Sequence, residues 1–224
     1  MSALGRPRLH LRETGSTNAV ARELAATGAP HGTLVTTGHQ TAGRGRQGRA
    51  WIAPPGRALL CSLVVRDPDP LLALRGGLAV ADVAGADARV KWPNDVLLDG
   101  RKLAGVLAEG RPQEGWAVLG IGLNVAVDPA TLPPELRDRA ATLNRSPADL
   151  PRTLKELVDA LQRRLAEPPA TVAEELGRRD ALLGRPVTWA GGSGSGAGID
   201  ADGRLLVDTG AARVALDAGE VHLG

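Results

Sequence analysis

Between residues 96 and 103 the chain reads Val-Leu-Leu-Asp-Gly-Arg-Lys-Leu, two short apolar runs joined by Asp99-Gly100. A two-residue turn between twisted strands needs φ > 0 at both central positions, which Asp and Gly supply more readily than other residues. The segment therefore predicts an antiparallel hairpin with a defined register. Leu98 should face Arg101, Leu97 should face Lys102, and Asp95 should face Ala104. On that register Asp95 and Lys102 project from one face as diagonal neighbours, a separation that a lysine side chain spans.

Elements of both periods flank the hairpin. Residues 33–37, 59–65, 90–92 and 116–127 read as strands, the third broken by Pro93. Residues 16–28 read as a helix that Ser16 or Thr17 can cap and Gly28 ends. Residues 71–86, 151–166 and 171–183 are helical in pattern, the first weakened by Gly76-Gly77. After Leu183 the character changes to short strands between Gly and Asp turns, at 186–190, 198–200, 204–208, 212–216 and 220–223, with 191–198 as a loop tip. The expected fold is α/β in the α+β sense: a main domain over residues 1–183, and a small β-barrel over 184–224. A barrel of roughly 40 residues is marginal alone and should dock on the main domain.

Bulk properties narrow the function classes. A formal net charge of +2 is too small for a body that coats nucleic acid. A single cysteine, Cys61, rules out an internal disulfide and reads as a small buried hydrophobe. The first 18 residues lack the apolar core of a secretory signal, and no run of about 18 apolar residues is present, so a cytoplasmic protein is expected. His10, His31, His39 and His222 have no ligand spacing, so no resident metal is expected. Among 27 basic residues only Lys91, Lys102 and Lys155 are lysines, and the chain has no Phe or Tyr. In so Arg-biased a chain, a retained lysine marks a position where a compact ammonium differs in effect from a guanidinium.

Four segments carry chemistry. Gly43-Arg-Gly-Arg-Gln-Gly-Arg49-Ala-Trp51 contains the letters G-x-G-x-x-G, but Ile-Ala-Pro-Pro-Gly follows and cannot open the helix a dinucleotide site needs. Arginines among glycines make either a loop that closes on carboxylate or phosphate oxygens, or a single-strand RNA-binding segment. Lys91-Trp-Pro-Asn-Asp95 and Arg101-Lys-Leu-Ala-Gly105 bring lysines and an aspartate together, as an anion site or as a surface salt bridge. Gly120-Ile-Gly-Leu-Asn124 puts glycines in a strand, where either a ligand or a packed helix approaches the backbone. Glu13-Thr-Gly-Ser-Thr-Asn18 offers hydroxyls and free amides at a helix start, for a polar ligand or for capping alone.

Taken in this order, with Gln40 ahead of the arginine loop, these segments resemble biotin protein ligases. The resemblance covers roughly residues 10–127, and residues 184–221 look like that family's C-terminal Src-homology-3-like small barrel. It implies a mixed-sheet catalytic domain related to class II aminoacyl-tRNA synthetases, and a two-step reaction. Biotin and ATP give biotinyl-5′-AMP and pyrophosphate; the biotinyl group then passes to a lysine of a biotin carboxyl carrier protein. The implied biotin-binding residues are Ser16, Thr17, Asn18, Gln40, Gly43, Arg44, Lys102, Gly105, Gly120 and Gly122. On the adenylate side it implies Arg46, Arg49, Trp51, Asn94, Lys102 and Asn124. Lys102, Arg46, Asp95 and Lys91 are the implied catalytic set, with Mg²⁺ arriving on ATP. Two departures stand out: Gln47 takes a position where the family often has arginine, and a catalytic segment starting near Glu13 leaves no room for the DNA-binding domain some members carry. A ligase-only form, not binding DNA or membrane and compatible with a homodimer, is the expectation. The rival readings are a lipoate ligase-like adenylating enzyme and a nucleic-acid-binding module.

Overall fold

The computed structural model describes residues 4–217 and 219–223. In chain order the elements are β1 (Arg8–Leu11), α1 (Thr17–Ala26), β2 (Leu34–Thr37), β3 (Ala58–Arg66), α2 (Leu72–Ala84), β4 (Arg89–Lys91), β5 (Asp95–Leu98), β6 (Arg101–Arg111), β7 (Trp116–Asn124), α3 (Pro134–Arg137), α4 (Leu150–Ala166) and α5 (Pro169–Arg179). Strands β8 (Pro186–Trp189), β9 (Gly192–Ile199), β10 (Leu205–Asp208), β11 (Arg213–Leu216) and β12 (His222–Leu223) follow.

The first seven strands form one mixed sheet in the order β1-β2-β3-β7-β6-β5-β4, parallel only between β1 and β2. Its central strand β7 explains the rest of the layout. Ala117, Leu119, Ile121 and Leu123 belong to the main hydrophobic core, which α2 and α4 also enter through Leu78, Leu157 and Leu161. The intervening positions are Val118, Gly120, Gly122 and Asn124, and they face the side on which α1 packs. Strand side chains alternate between faces, so Leu-Gly-Ile-Gly-Leu-Asn is a strand with a greasy face and a bare one. Helix α1 covers part of the bare face through Ala21 and Ala25, against Val35, Val64 and Val118. The remainder of that face is left open as a trough.

The hairpin forms with Asp99 at φ 50° and Gly100 at φ 73°, as the turn requires. Leu98 pairs with Arg101 and Leu97 with Lys102, but the register then shifts: Val96 pairs with Ala104 and Asp95 with Gly105, not with Ala104. A β-bulge inserts one residue on β6. Residues 139–141 sit beside it, where Lys102 N donates to Arg139 O (2.7 Å) and Ala141 N to Lys102 O (2.8 Å). Nothing local to the hairpin foretells that partner.

Two other expectations need correction, and one strand lies where none was expected. The helix placed at 171–183 runs from Pro169 to Arg179. Strand β1 escaped notice because its four residues are mostly exposed and lack a periodic pattern. Residues 191–198 are no loop tip, since Gly192–Ile199 is β9 at the centre of the second sheet, ordered β11-β10-β9-β8-β12. Its glycines are there because neighbours crowd it: a Cβ on Gly194 would lie 2.4 Å from Asp208 O, and one on Gly196 would lie 2.1 Å from Leu182 O. Read as a flexible composition, Gly-Ser-Gly-Ser-Gly conceals a period-2 strand.

The two sheets share a core. Val187, Leu205, Val207 and Val221 join the cluster that holds α2 and β7. Trp92, 2% exposed, donates its indole N–H to Gly203 O (2.9 Å) and so ties the segment before Asp95 to the turn ahead of β10. At the same junction Asp180 bridges to Val90, and its Oδ1 accepts from Leu182 N (2.8 Å) while Oδ2 is buried without a partner. Burial raises the Asp180 pKa above the ordinary carboxylate value, partly offset by the backbone N–H groups of Leu182 and Leu183. The folded state therefore binds this proton more tightly than the unfolded chain does. The stabilisation is full below the ordinary pKa and is lost as pH rises through the folded one. Asp180→Asn, which cannot ionise, is expected to gain stability relative to the native chain in urea unfolding as pH rises above the ordinary carboxylate range. A difference that stays constant with pH would show that folding does not raise this carboxyl's pKa.

Candidate active site

The trough on the bare face of the sheet is a cavity of about 420 Å³. Its floor is the cross-strand row Gly122–Gly105–Asp95, in which two glycines are direct partners. The Trp51 indole lies on that floor. A Cβ on Gly122 would stand 2.5 Å from Trp51 Cε2, and one on Gly105 3.2 Å from Cζ3. Gly120, one step along, makes room for Asn18, whose Oδ1 would be 2.1 Å from an added Cβ. The glycines are thus needed by the protein's own side chains before any ligand enters.

One end of the cavity is polar and uncharged. Ser16 precedes α1 but makes no capping bond, which leaves its buried hydroxyl to the cavity. The cap comes instead from the loop: Gln40 Oε1 accepts from Thr17 N (2.8 Å) and lies 3.1 Å from Thr17 Oγ1. Ser62, fully buried on β3, lies 2.8 Å from Thr17 Oγ1 and 2.6 Å from Asn18 Oδ1, and its single proton can go to only one of them. Asn18 Nδ2 donates to Glu109 Oε2 (2.8 Å) and is 3.3 Å from Leu107 O. Sequence reasoning missed Ser62, although a lone hydroxyl inside the apolar run of β3 was a usable signal.

The other end is cationic. Arg44, Arg46, Arg49, Lys91, Lys102 and Arg139 line it, against Asp95 and Asp138. Lys102 Nζ stands 2.7 Å from Asp95 Oδ1, yet that oxygen has no hydrogen bond of acceptable angle, so the contact is coulombic. The same ammonium lies 5.8 Å from the centroid of the Trp51 ring. The Lys91 pKa is lowered first by burial and further by Lys102, Arg139 and Arg49, with Asp95 opposing. That of Arg46 is lowered by burial and by Arg49, again against Asp95. Cations that depress one another's pKa mark a site short of negative charge, which an anionic ligand would supply. Arg139 was missed because only the tertiary fold brings residues 139–141 beside β6.

Of the residues expected at the site, Gly43 alone stays outside the cavity. Its carbonyl accepts from Trp51 N (3.0 Å) and closes the base of the arginine loop. Asn94 and Asn124 line the cavity but use their amide donors on its walls, Asn94 on Val106 O (3.0 Å) and Asn124 on Ala141 O (2.9 Å). At the tip of the loop, Gln47 (φ 55°) and Gly48 (φ 75°) are both left-handed, and Arg49 N donates to Arg46 O (3.2 Å). Cys61 is buried beneath, with its thiol pushed up to about 12 by desolvation. Among the described residues no cluster of three or more metal-ligating side chains occurs, and no helix is long and apolar enough to cross a membrane.

The fold and the anion-seeking cleft define a class that comparison with known proteins identifies. Residues 11–126, just over half of the chain, match the biotin/lipoate A/B protein ligase family, and the chain belongs to that family. It is 40% identical over 143 residues to the bifunctional ligase/repressor BirA of Bacillus subtilis, covering 58% of this chain and 44% of that protein. It is 44% identical over 137 residues to a biotin–[acetyl-CoA-carboxylase] ligase of Mycobacterium tuberculosis, covering 55% and 51%. The matched stretch thus spans about half the length of these curated relatives. Among solved structures, the biotin protein ligase from Aquifex aeolicus in complex with biotin and ATP superposes with a TM-score of 0.81 at 26% identity, over 98% of this chain and 99% of that one.

Gly122→Ala is expected to push the Trp51 indole off the floor and shift intrinsic tryptophan fluorescence to the red. The melting temperature should fall by no more than roughly 4 °C, about what 1 kcal/mol does at this size. An unchanged emission spectrum would mean that the indole does not rest on Gly122.

Proposed function

We propose that the chain is a biotin protein ligase that makes biotinyl-5′-AMP from biotin and ATP and transfers the biotinyl group to a lysine of a biotin carboxyl carrier protein. The observation that carries this reading is the division of one cavity into a neutral hydroxyl-lined end and an arginine- and lysine-lined end, joined at Lys102. A ureido ring with hydrogen-bonding groups on a small apolar body suits the first end; carboxylate and phosphates suit the second. Residues 1–183 would form the biotin- and ATP-binding domain, and residues 184–224 a C-terminal domain. The proposed setting is the cytoplasm, where ATP and carrier meet.

In the first step a biotin carboxylate oxygen attacks the α-phosphorus. The bond from that phosphorus to the oxygen bridging to the β-phosphate breaks, and pyrophosphate leaves with those electrons. Two anions must approach within bonding distance, and at 4 Å their repulsion is about 4 kcal/mol at an effective dielectric constant near 20. A preoriented ammonium between them offsets this most where the charges converge. Lys102 is in reach of that point, fixed from below by Trp51 and from the side by Asp95. Arg46 and Arg49 take the phosphates, with Lys91 and Arg139 beside them. Mg²⁺ enters as part of the substrate MgATP, while Asp95 faces the Lys102 ammonium. In the second step the carrier's neutral lysine amine attacks the acyl carbon and AMP departs. The mixed anhydride is already activated, so this step asks chiefly for positioning, with Asp95 oriented to receive the incoming amine.

Pyrophosphate release from MgATP tests the reading. It should require biotin, fall by about 10²-fold or more in Lys102→Ala, and not occur when lipoate replaces biotin. Release with lipoate in place of biotin would move the chain to the lipoate side of its family. No release with either carboxylate would overturn the proposal.

A further inference from the structure

The arginine loop is held from outside its own domain. Arg49 forms an ion pair with Glu220, and Arg46 Nη2 donates to Gly219 O (3.3 Å). Both partners lie immediately before β12, about 170 residues away in sequence, and Leu223 of that strand lines the same cavity. The loop's own hydrogen bonds are Trp51 N to Gly43 O (3.0 Å) at its base, Gly45 N to Arg49 O (2.7 Å), and Arg49 to Arg46 O, and its tip places Gln47 in a left-handed conformation that a residue with a Cβ adopts at a cost. Residues 219–220 are in turn anchored, because Val221 is 3% exposed in the main core and β12 pairs with β8.

Among the described residues Glu220 is also the one carboxylate in an ion pair with the loop's arginines. The Glu220 side chain is 27% exposed and that of Arg49 is 59% exposed, so the pair is neither sealed nor lost in solvent. The geometry points to Glu220 as a positioning residue for the active site: a built-in anion that latches the arginine loop to the C-terminal sheet and is displaced from Arg49 by polyphosphate. An incoming triphosphate carries several negative charges to Glu220's one and takes the guanidinium. Once pyrophosphate has left, the adenylate presents a single negative charge, and Glu220 can take Arg49 back, returning the loop to its anchored position over the intermediate. The displacement half of this inference rests on the ligase reading; the latch half does not.

Two measurements on the full chain separate them. The loop carries tryptic sites at Arg44, Arg46 and Arg49, and cleavage of a transiently opened segment reports the open population. Breaking a partly exposed ion pair should raise cleavage there about 2- to 5-fold in Glu220→Gln, with cleavage elsewhere unchanged and Glu220→Asp close to wild type. Cleavage at Arg44 and Arg46 should rise similarly in Arg49→Gln and no further in the double variant. Calorimetry with inorganic tripolyphosphate should give tighter binding by a similar factor in Glu220→Gln, and no gain from that change in the Arg49→Gln background. Equal loop cleavage in Glu220→Gln and wild type, or acceleration spread over the whole chain, overturns the latch. Unchanged or weaker tripolyphosphate binding overturns displacement. Neither readout requires turnover, so a chain that fails to release pyrophosphate with biotin can still pass or fail both.

Discussion

The cavity face of the central sheet is defined by what its strands leave out. Gly122 and Gly105 are cross-strand partners on β7 and β6, and Gly120 follows one step along. With no side chains at these points the sheet has a floor low enough for the Trp51 indole and the Asn18 amide to lie against backbone. Everything else at the site is referred to those two side chains. Lys102 faces the indole, Ser62 and Glu109 hold the amide, and Gln40 secures Thr17 beside it. The opposite face carries Leu119, Ile121 and Leu123 into the main core, so the floor cannot sink without disturbing the best-packed part of the molecule.

On that floor the protein gathers more positive than negative charge, and folding has to bear the repulsion. Burial and neighbouring cations depress Lys91 and Arg46, while Asp95 is the acidic group that offsets both. Such an arrangement is poor for stability and good for binding, because anionic oxygens relieve a strain that the unliganded state already carries. The β-bulge that shifts Asp95 to face Gly105 belongs to the same construction. It sets Lys102 between Arg139 O and Ala141 N on one side and Asp95 on the other.

The C-terminal sheet is part of this site's support. Trp92, inside the Lys-Trp-Pro-Asn-Asp segment, is buried and spends its N–H on Gly203. A residue that reads in sequence as a member of a catalytic motif therefore joins the two sheets. Arg46 and Arg49 reach the same sheet from the other side of the cavity.

The sequence by itself determined the local pieces: the hairpin at Asp99-Gly100, the helix after Ser16, the alternating strand at Gly120–Asn124, and the segments that carry the site's charge. These follow from φ preferences, helix-end chemistry and side-chain period, all of which act over a few residues. The same local rules misread Gly192–Ile199, where the need for glycine comes from Leu182 and Asp208, and they are silent about Ser62, Arg139 and Glu220. Tertiary structure decided which side chains the glycines serve, that β6 carries a bulge, and that the arginine loop ends on the C-terminal sheet. Each depends on a neighbour 14 to 173 residues away, and a contact at that distance along the chain leaves no local period to read.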